Sequence, residues 1–157
     1  MVERLVWLSV ARPAGGVIGL RGRVGKAGRY VNILRSSFEA TQRGDFEATL
    51  KDFDPDFELR LPAEFPGAGT GHGHQAWLRA QQQFEEAFRD IRYEPQEFVD
   101  AGDRVLAAVR FTGHARHTGI PVDLLVYWVY TFRDDRIVAA DVFLDRPRAL
   151  GAVGLSG

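Results

Sequence analysis

The chain contains no cysteine, so neither a disulfide nor a thiolate can contribute to its stability or its chemistry. Its formal net charge of −1 gives no electrostatic reason to expect nucleic acid or an anionic membrane surface as a partner. No apolar run approaches the roughly 18 residues of a membrane-spanning helix. A chain of 157 residues, 45% of them hydrophobic, is instead typical of one globular domain with a substantial core.

Residues 1–28 differ in composition from the rest of the chain, because they are rich in arginine and glycine and contain Glu3 as their one acid. The stretch LVWLSVA has the length of a short leader, but ARPAGG after it is a poor cleavage site and Glu3 interrupts the basic start. We therefore expect either a basic, Gly-rich arm or an upstream start codon. A domain over residues 29–157 and a cytoplasmic location follow from this interpretation.

Hydrophobic periodicity predicts helices first and strands afterwards. Apolar side chains recur at helical spacing over 31–43, 46–53 and 74–89, with Gly44 and Pro55 ending the first two helices. Alternating residues between turn signals predict strands over 57–61, 91–99, 104–116, 122–132 and 137–145, a loop over 62–73 and a last helical turn over 147–150. Pro95 places the strand 91–99 at a sheet edge. This order predicts an α+β fold with the helices against one face of the sheet.

Strand periodicity separates two faces of the predicted sheet. One face carries apolar rows such as Val105, Ala107, Val109 and Phe111, and on the last strand Val138, Ala140, Val142 and Leu144. Aromatic rings dominate this inner wall, which is either plain core or a cavity for a flat apolar ligand. The residues predicted to bind such a ligand are Leu59, Leu61, Trp77, Phe111, Trp128, Tyr130, Val142 and Leu144.

The opposite face mixes apolar and charged side chains. Leu125, Tyr127, Val129 and Phe143 share it with Asp141, an acid inside the last predicted strand. An amphipathic sheet face of this kind favours a homodimer formed through it.

The histidines and glycines of GTGHGHQAW, residues 69–77, suggest metal or phosphate chemistry. The chain has four histidines, at 72, 74, 114 and 117, and neither pair has the spacing or the converging partners of a zinc site. No Lys-Ser/Thr follows the glycines, and their spacing is not that of a dinucleotide fingerprint, although the helix start at Gly73–His74 could receive an anion. We therefore predict no metal and no cofactor, and interpret the glycines as permitting a tight loop.

The order of several short motifs resembles that of SnoaL-like proteins in the nuclear transport factor two-like superfamily. The stretches concerned are RSSFEATQRGDFEATLKDFDPDFELRLP (35–62), GHQAWLRA (73–80), EPQEFVDAGDRVLAAVRFTG (94–113), VYTFRDDRIV (129–138) and FLDRPRALGAVGLS (143–156). The resemblance covers residues 29–156. It implies a cone-shaped α+β barrel, in which a curved, mostly antiparallel sheet wraps around three N-terminal helices and leaves an apolar pocket. Members are often dimers, and their activities include polyketide ring closure, steroid isomerisation, dehydration and epoxide hydrolysis.

The catalytic groups of the family's steroid isomerases are not retained. Where those enzymes have a carboxylate base, a tyrosine and a protonated acid, this chain has Leu61, Ser37 and Trp128. We therefore expect a binding protein for an apolar or aromatic small molecule, with no identifiable catalytic set. The alternative is a cofactor-independent polyketide cyclase, isomerase or hydratase with a general acid/base in the pocket, for which His74 and Asp141 are the candidates. A third hypothesis, a protein-interaction module, has only the outer sheet face as evidence.

Overall fold

The structure, a computed structural model, describes residues 26–155. Its helices are α1 (Lys26–Arg43), α2 (Phe46–Leu50), α3 (Gly73–Ala87) and α4 (Arg146–Ala152). Its strands are β1 (Phe53–Leu61), β2 (Gly69–His72), β3 (Phe88–Ala101), β4 (Arg104–Ala115), β5 (Pro121–Arg133) and β6 (Arg136–Phe143). Of the expected N-terminal extension, residues 26–28 begin α1, and residues 1–25 lie outside the described part. No helix within residues 26–155 is both long enough and apolar enough to cross a membrane.

The strands form one six-stranded sheet in the order β2-β1-β6-β5-β4-β3. All neighbouring pairs are antiparallel except β1 and β6, which run parallel. The sheet is curved and unclosed, with α1, α2 and α3 on its inner face. The predicted α+β class is therefore confirmed.

The junction between α1, α2 and β1 follows from local capping. Gly44 adopts a left-handed φ of +79° after the last turn of α1. The Asp45 carboxylate then accepts a hydrogen bond of 3.1 Å from the Ala48 amide and caps α2. The helix ends at Leu50, earlier than predicted, because Phe53 already pairs with Ile137 of β6. Residues 51–53 have apolar spacing typical of a helix, but pairing with β6 makes Phe53 the start of β1 instead.

The glycine-rich segment before α3 forms a short strand that was predicted as loop. Its residues pair with β1, with Leu59 opposite Gly71 and Leu61 opposite Gly69. A Cβ at position 71 would lie 2.8 Å from the Ala76 Cβ, and Gly73 has a φ of +78° with the Pro55 carbonyl close by. The glycines therefore allow close backbone approach, as the sequence indicated.

Strand β3 lies at the sheet edge, which confirms the prediction from Pro95. The Gln42 side chain of α1 forms two hydrogen bonds to the backbone of this edge strand. Its Nε2 donates to the Ile91 carbonyl (3.3 Å), and its Oε1 accepts from the Tyr93 amide (2.8 Å). These two hydrogen bonds pair backbone groups that an edge strand otherwise leaves without a partner. They also tie the C-terminal turn of α1 to the start of β3.

The inner face of the sheet has the predicted composition. Val105, Ala107 and Val109 of β4 stand opposite Tyr130, Trp128 and Val126 of β5, and all are buried beneath α1. The completely buried Leu34 and the stacked rings of Tyr30 and Phe132 anchor α1 to this face. In β4 and β5, the side chains that face the helices are therefore the apolar members of the alternating sequence pattern.

Two residues of the last strand are placed differently from the prediction. A bulge between β5 and β6 pairs Phe132 with Ile137 and Thr131 with Ala139, so Val138 has no opposite residue. Ile137 consequently enters the core in place of Val138. Leu144 follows the end of β6 and is 37% exposed, so it does not belong to the inner wall.

The apolar outer row is covered by the chain's own last helix. Ala149 and Leu150 of α4 pack against Leu106, Tyr127 and Val129 in a second apolar cluster. Arg146 fixes the start of this helix through two hydrogen bonds to the Glu97 carboxylate (2.9 and 3.4 Å). The homodimer through the outer face stays a prediction. Some of the apolar side chains that suggested it are covered by α4 of the same chain.

A pair of leucines in the C-terminal segment tests the contribution of α4. Leu150 is buried, whereas Leu155 is 43% exposed. We expect Leu150→Ala to lower the free energy of unfolding by about 2–5 kcal/mol and Leu155→Ala to change it by less than about 0.5 kcal/mol. Urea unfolding monitored by circular dichroism measures both, and equal losses would contradict the docking of α4 on the sheet.

Candidate functional site

A small space, the interior cavity, lies between α1, α3 and the inner face of the sheet. Its volume is about 30 Å³, which accommodates a water molecule but not an organic ligand, since ligand sites usually measure roughly 300–1,000 Å³. Aromatic rings form most of its wall: Phe38, Phe53, Trp77, Phe84, Tyr93, Trp128 and Tyr130. The side chains of Ser37, Thr41, Thr49 and Gln81 complete it.

The hydroxyl groups of the interior cavity hold α1 and α2 together. Thr41 donates to the Ser37 carbonyl at 2.9 Å, and its oxygen lies 3.0 Å from the Thr49 hydroxyl. Ser37 donates to the Thr49 carbonyl at 3.2 Å. Because these hydroxyls pair with each other and with the backbone, their role in the described structure is to join the two helices.

Gln81, Tyr93 and Tyr130 supply the other polar groups of the interior cavity. The Tyr93 hydroxyl donates to Gln81 Oε1 at 3.4 Å. Burial raises the pKa of both phenols above the usual tyrosine value, and the nearby Glu85 charge adds to the shift at Tyr93. Both phenols therefore remain protonated hydrogen-bond donors at neutral pH.

A larger space, the charged groove, opens at the surface beside the interior cavity. Its volume is about 390 Å³, and it shares Thr41, Gln81 and Tyr93 with the cavity. These shared residues are the boundary between the two spaces. The charged residues that line the groove are Arg43, Glu85, Arg89, Asp90 and Arg116.

The charges of this groove are loosely paired. Arg89 lies 2.9 Å from the Asp90 carboxylate, and Arg116 donates to the Glu85 backbone carbonyl at 2.6 Å. Arg43 is 60% exposed and 3.8 Å from Asp45. Exposed ion pairs contribute only about 0–1 kcal/mol each, so these side chains can rearrange around a ligand at little cost.

A third space, the apolar groove, lies on the other side of Phe84. It has a volume of about 260 Å³, and its lining residues are Glu64, Phe65, Pro66, Phe84, Phe88, Phe111, Val122, Leu124 and Leu144. The Phe84 ring contacts Phe65 and Phe111 edge-on, with centroids 5.6 and 6.0 Å apart. Phe84 therefore separates the apolar groove from the interior cavity.

The predicted ligand-binding residues do not share one pocket. Trp77, Trp128 and Tyr130 line the interior cavity, whereas Phe111 and Leu144 line the apolar groove. Leu59 and Leu61 border a further groove of about 130 Å³ beside β2, and Val142 is packed in the core. The side chains of α3, above all Trp77 and Phe84, fill the space that the prediction left open.

Neither candidate acid/base residue lines the interior cavity. His74 Nε2 lies 2.9 Å from the Phe53 carbonyl, which only accepts, so this nitrogen carries the proton and ties α3 to β1. Asp141 faces outward, as predicted, and accepts a 2.5 Å hydrogen bond from Arg60. Arg60 also pairs with Glu58, whose other oxygen is 3.3 Å from His72. Asp141 thus belongs to a charged network on the outer face.

The positions matched to the steroid isomerases are only partly brought together. Ser37 and Trp128 both line the interior cavity. Leu61 borders the groove beside β2 instead. Within the described chain, no three His, Asp or Glu side chains converge as metal ligands would.

Sequence reasoning did not identify Gln81 and Tyr93 as residues of the site. Gln81 is polar and lies within α3, yet it is only 8% exposed. A signal was present, because Gln81 lies four residues after Trp77 and therefore on the same helical face. Tyr93 gave no comparable signal, since the bulge between Arg89 and Arg92 shifts the alternation along β3.

The profile of the SnoaL-like domain family matches residues 34–140, which is most of the chain. The protein therefore belongs to the SnoaL-like domain family, and the resemblance found in the sequence is confirmed. A search of curated proteins gives no match.

Solved structures with similar folds extend this assignment. An NTF2-like protein of unknown function from Burkholderia pseudomallei has 23% identity and a TM-score of 0.69, covering 80% of this chain and 97% of its own. TerC co-crystallised with polyporic acid has 21% identity and a TM-score of 0.67, with 80% and 98% covered. A putative SnoaL-like polyketide cyclase from Jannaschia sp. has 16% identity and a TM-score of 0.69, with 86% and 98% covered. At these identities the likeness establishes the NTF2-like fold.

The buried phenols predict a loss of stability at alkaline pH. Because burial raises the pKa of Tyr93 and Tyr130, the unfolded chain releases their protons above about pH 10 while the folded chain retains them. The contribution of these two tyrosines to the free energy of unfolding should therefore be constant below about pH 9 and should fall as the pH rises beyond about 10. Urea unfolding between pH 8 and 11 should show a shallower alkaline decline for Tyr93→Phe/Tyr130→Phe than for the wild type, and identical declines would contradict the burial of the phenols.

Proposed function

We propose that the protein binds a planar aromatic small molecule in the charged groove, with the leading end of the molecule directed at the interior cavity. The single observation that carries this proposal is the boundary of Thr41, Gln81 and Tyr93 that the two spaces share. The groove has the volume of an organic ligand site. The cavity alone does not, so the bulk of the ligand lies outside it.

The aromatic residues around the boundary favour a flat ligand. Trp128 and Tyr130 stack with centroids 5.9 Å apart and planes inclined by 9°, and Phe46 meets Trp77 edge-on at 5.3 Å. Such rings offer both faces and edges to an incoming ring. The arginines at the rim add cations that can stack on an aromatic system. TerC, whose structure includes polyporic acid, has the same fold and gives a precedent for a small-molecule ligand.

The absence of a buried base favours binding over catalysis. Among the described residues that line the interior cavity there is no carboxylate and no imidazole, and its titratable groups are phenols that stay protonated. A proton donor alone does not supply the base that enolisation or ring closure needs.

Ligand binding is tested by filling the charged groove. Glu85 and Glu86 are neighbouring exposed residues, but only Glu85 lines the groove. We expect 2-naphthol and related two-ring compounds to quench tryptophan fluorescence in the wild type. Glu85→Phe should weaken the apparent affinity at least about tenfold by occupying the groove, a change worth about 1.4 kcal/mol.

Two control variants locate the site. Glu86→Phe adds the same ring and removes the same charge outside the groove, so it should bind like the wild type. Val122→Phe fills the apolar groove instead. If Val122→Phe abolished quenching and Glu85→Phe did not, the apolar groove would be the binding site and the proposal would be wrong.

The second candidate function is a cofactor-independent cyclase, isomerase or hydratase. The name of the Jannaschia protein supports this reaction type at the level of the family. In this chain the observation that favours it is Glu85, which lines the groove close enough to Tyr93 to raise the pKa of that phenol. Glu85 would be the base and the phenols the proton donors.

A reaction of this kind requires the Glu85 carboxylate. Incubation with aromatic β-ketoester precursors, followed by chromatography and mass spectrometry, should show a ring-closed product in the wild type, either isomeric with the precursor or lighter by one water, and none with Glu85→Gln. Equal conversion by both proteins would exclude Glu85 as the base. Without conversion by the wild type, the binding function stands alone.

A further inference from the structure

We propose that the apolar groove is a second binding site, and that its ligand is an organic amine. The apolar body of the amine lies against the phenylalanine rings of the groove, and its ammonium group pairs with Glu64 at the rim. This site is independent of the proposed function, because the planar ligand of that function lies in the charged groove on the other side of Phe84.

The apolar groove lies where the apolar row of β5 continues beyond the buried core. Val126 and Trp128 of this row are buried, whereas Val122 is half-buried and Leu124 is exposed. Leu144, which follows β6, is also exposed and lines the same groove. Exposed apolar side chains that gather in one place mark a surface for binding, so the uncovered end of this row is suited to the apolar part of a ligand.

Contacts between rings hold the walls of the apolar groove in position. Phe84 meets both Phe65 and Phe111 edge-on, and Phe88 meets Phe111 edge-on with the centroids 5.4 Å apart. The groove has a volume of about 260 Å³, which is close to the lower limit of the roughly 300–1,000 Å³ of small-molecule sites. It therefore accommodates a ligand body of about one ring and a short alkyl chain.

Glu64 gives the apolar groove a negative charge. Among the described residues that line the groove it is the one charged residue, and its carboxylate has no ion pair or hydrogen bond within residues 26–155. Two backbone hydrogen bonds fix the turn that carries it, from the Phe65 amide to the Pro62 carbonyl (3.0 Å) and from the Ala68 amide to the Phe65 carbonyl (3.1 Å). A carboxylate held beside an apolar surface attracts a cation and repels an anion.

Charge complementarity therefore selects the head group of the ligand. No lysine or arginine lines the groove in the described part of the chain, so a carboxylate or phosphate head would meet only the like charge of Glu64. An ammonium head would pair with Glu64, and the nearby phenylalanine rings would add to the attraction because the face of an aromatic ring attracts positive charge. The ligand class that fits both the apolar walls and the rim is an amine with an aryl or alkyl body.

The experiment compares 4-phenylbutylamine, 4-phenylbutan-1-ol and 4-phenylbutanoate, which share a phenylalkyl body and carry a positive, a neutral and a negative head group at neutral pH. Isothermal titration calorimetry gives the dissociation constant of each compound. We expect the wild type to bind the amine about three- to fivefold more tightly than the alcohol, the effect of one exposed ion pair, and about tenfold more tightly than the carboxylate. Glu64→Gln should bring the amine and the alcohol to within about 1.5-fold of each other while the affinity for the alcohol stays within about twofold.

The matched control for the charge is Glu86→Gln, which removes an exposed carboxylate outside the groove. It should keep the wild-type preference for the amine. Equal affinities of the wild type for the amine and the alcohol would overturn the inference, and this comparison needs no variant to fold. Failure of all three compounds to bind at their solubility limits would overturn it as well.

Two further variants assign the amine to one groove. Val122→Phe places a ring in the apolar groove and should weaken binding of the amine at least about tenfold. Glu85→Phe fills the charged groove and should leave the affinity for the amine within about twofold. Loss of amine binding in Glu85→Phe but not in Val122→Phe would overturn the inference, whereas the quenching by 2-naphthol tests the proposed function separately.

Discussion

The packing of α1 and α3 into the curve of the sheet decides what the rest of the molecule can do. Leu34 and Phe38 of α1 and Trp77 and Phe84 of α3 bring large side chains against β4 and β5. Protein interiors fill to a density that leaves few voids larger than a water molecule, and this interior conforms. The polar groups that remain beside the interior cavity are therefore confined to a few defined positions.

The apolar side chains on the two faces of the sheet are covered by different helices. The inner face is covered by the N-terminal helices and the outer face by α4, whose Leu150 completes a separate apolar cluster. The uncovered part of the outer face is charged, with Arg60 linking Glu58 to Asp141 across β1 and β6. This division explains why Asp141, on the outer face, is remote from the interior cavity.

The order and type of the main elements were predictable from the sequence because they depend on local periodicity. The predictions that were wrong concern strand boundaries and register, which depend on pairing between residues distant in sequence. Phe53 extends because it meets Ile137, Gly69–His72 becomes a strand because it meets β1, and a bulge opposite Phe132 exchanges Ile137 for Val138. The division of the predicted pocket had the same origin, since the ring of Phe84 comes to lie between Phe65 and Phe111, residues distant in sequence. Periodicity indicates which face a residue occupies, but not how much of the enclosed volume its neighbours fill.

Among the described residues, those that line the interior cavity carry neutral hydrogen-bonding groups and no carboxylate or imidazole. A carboxylate beneath α1 would need a partner to offset its desolvation. The positions that the resemblance matches to the acid and base of the isomerases carry Trp128 and Leu61. Tyr130 and Gln81 carry no charge, so their burial costs much less than that of a carboxylate would. The charged residues, Arg43, Glu85, Arg89, Asp90 and Arg116, are kept in the groove outside, where water solvates them when no ligand is bound. Under the proposed binding function, neutral donors inside and charges at the entrance need none of the pKa adjustments that catalysis by a buried base requires.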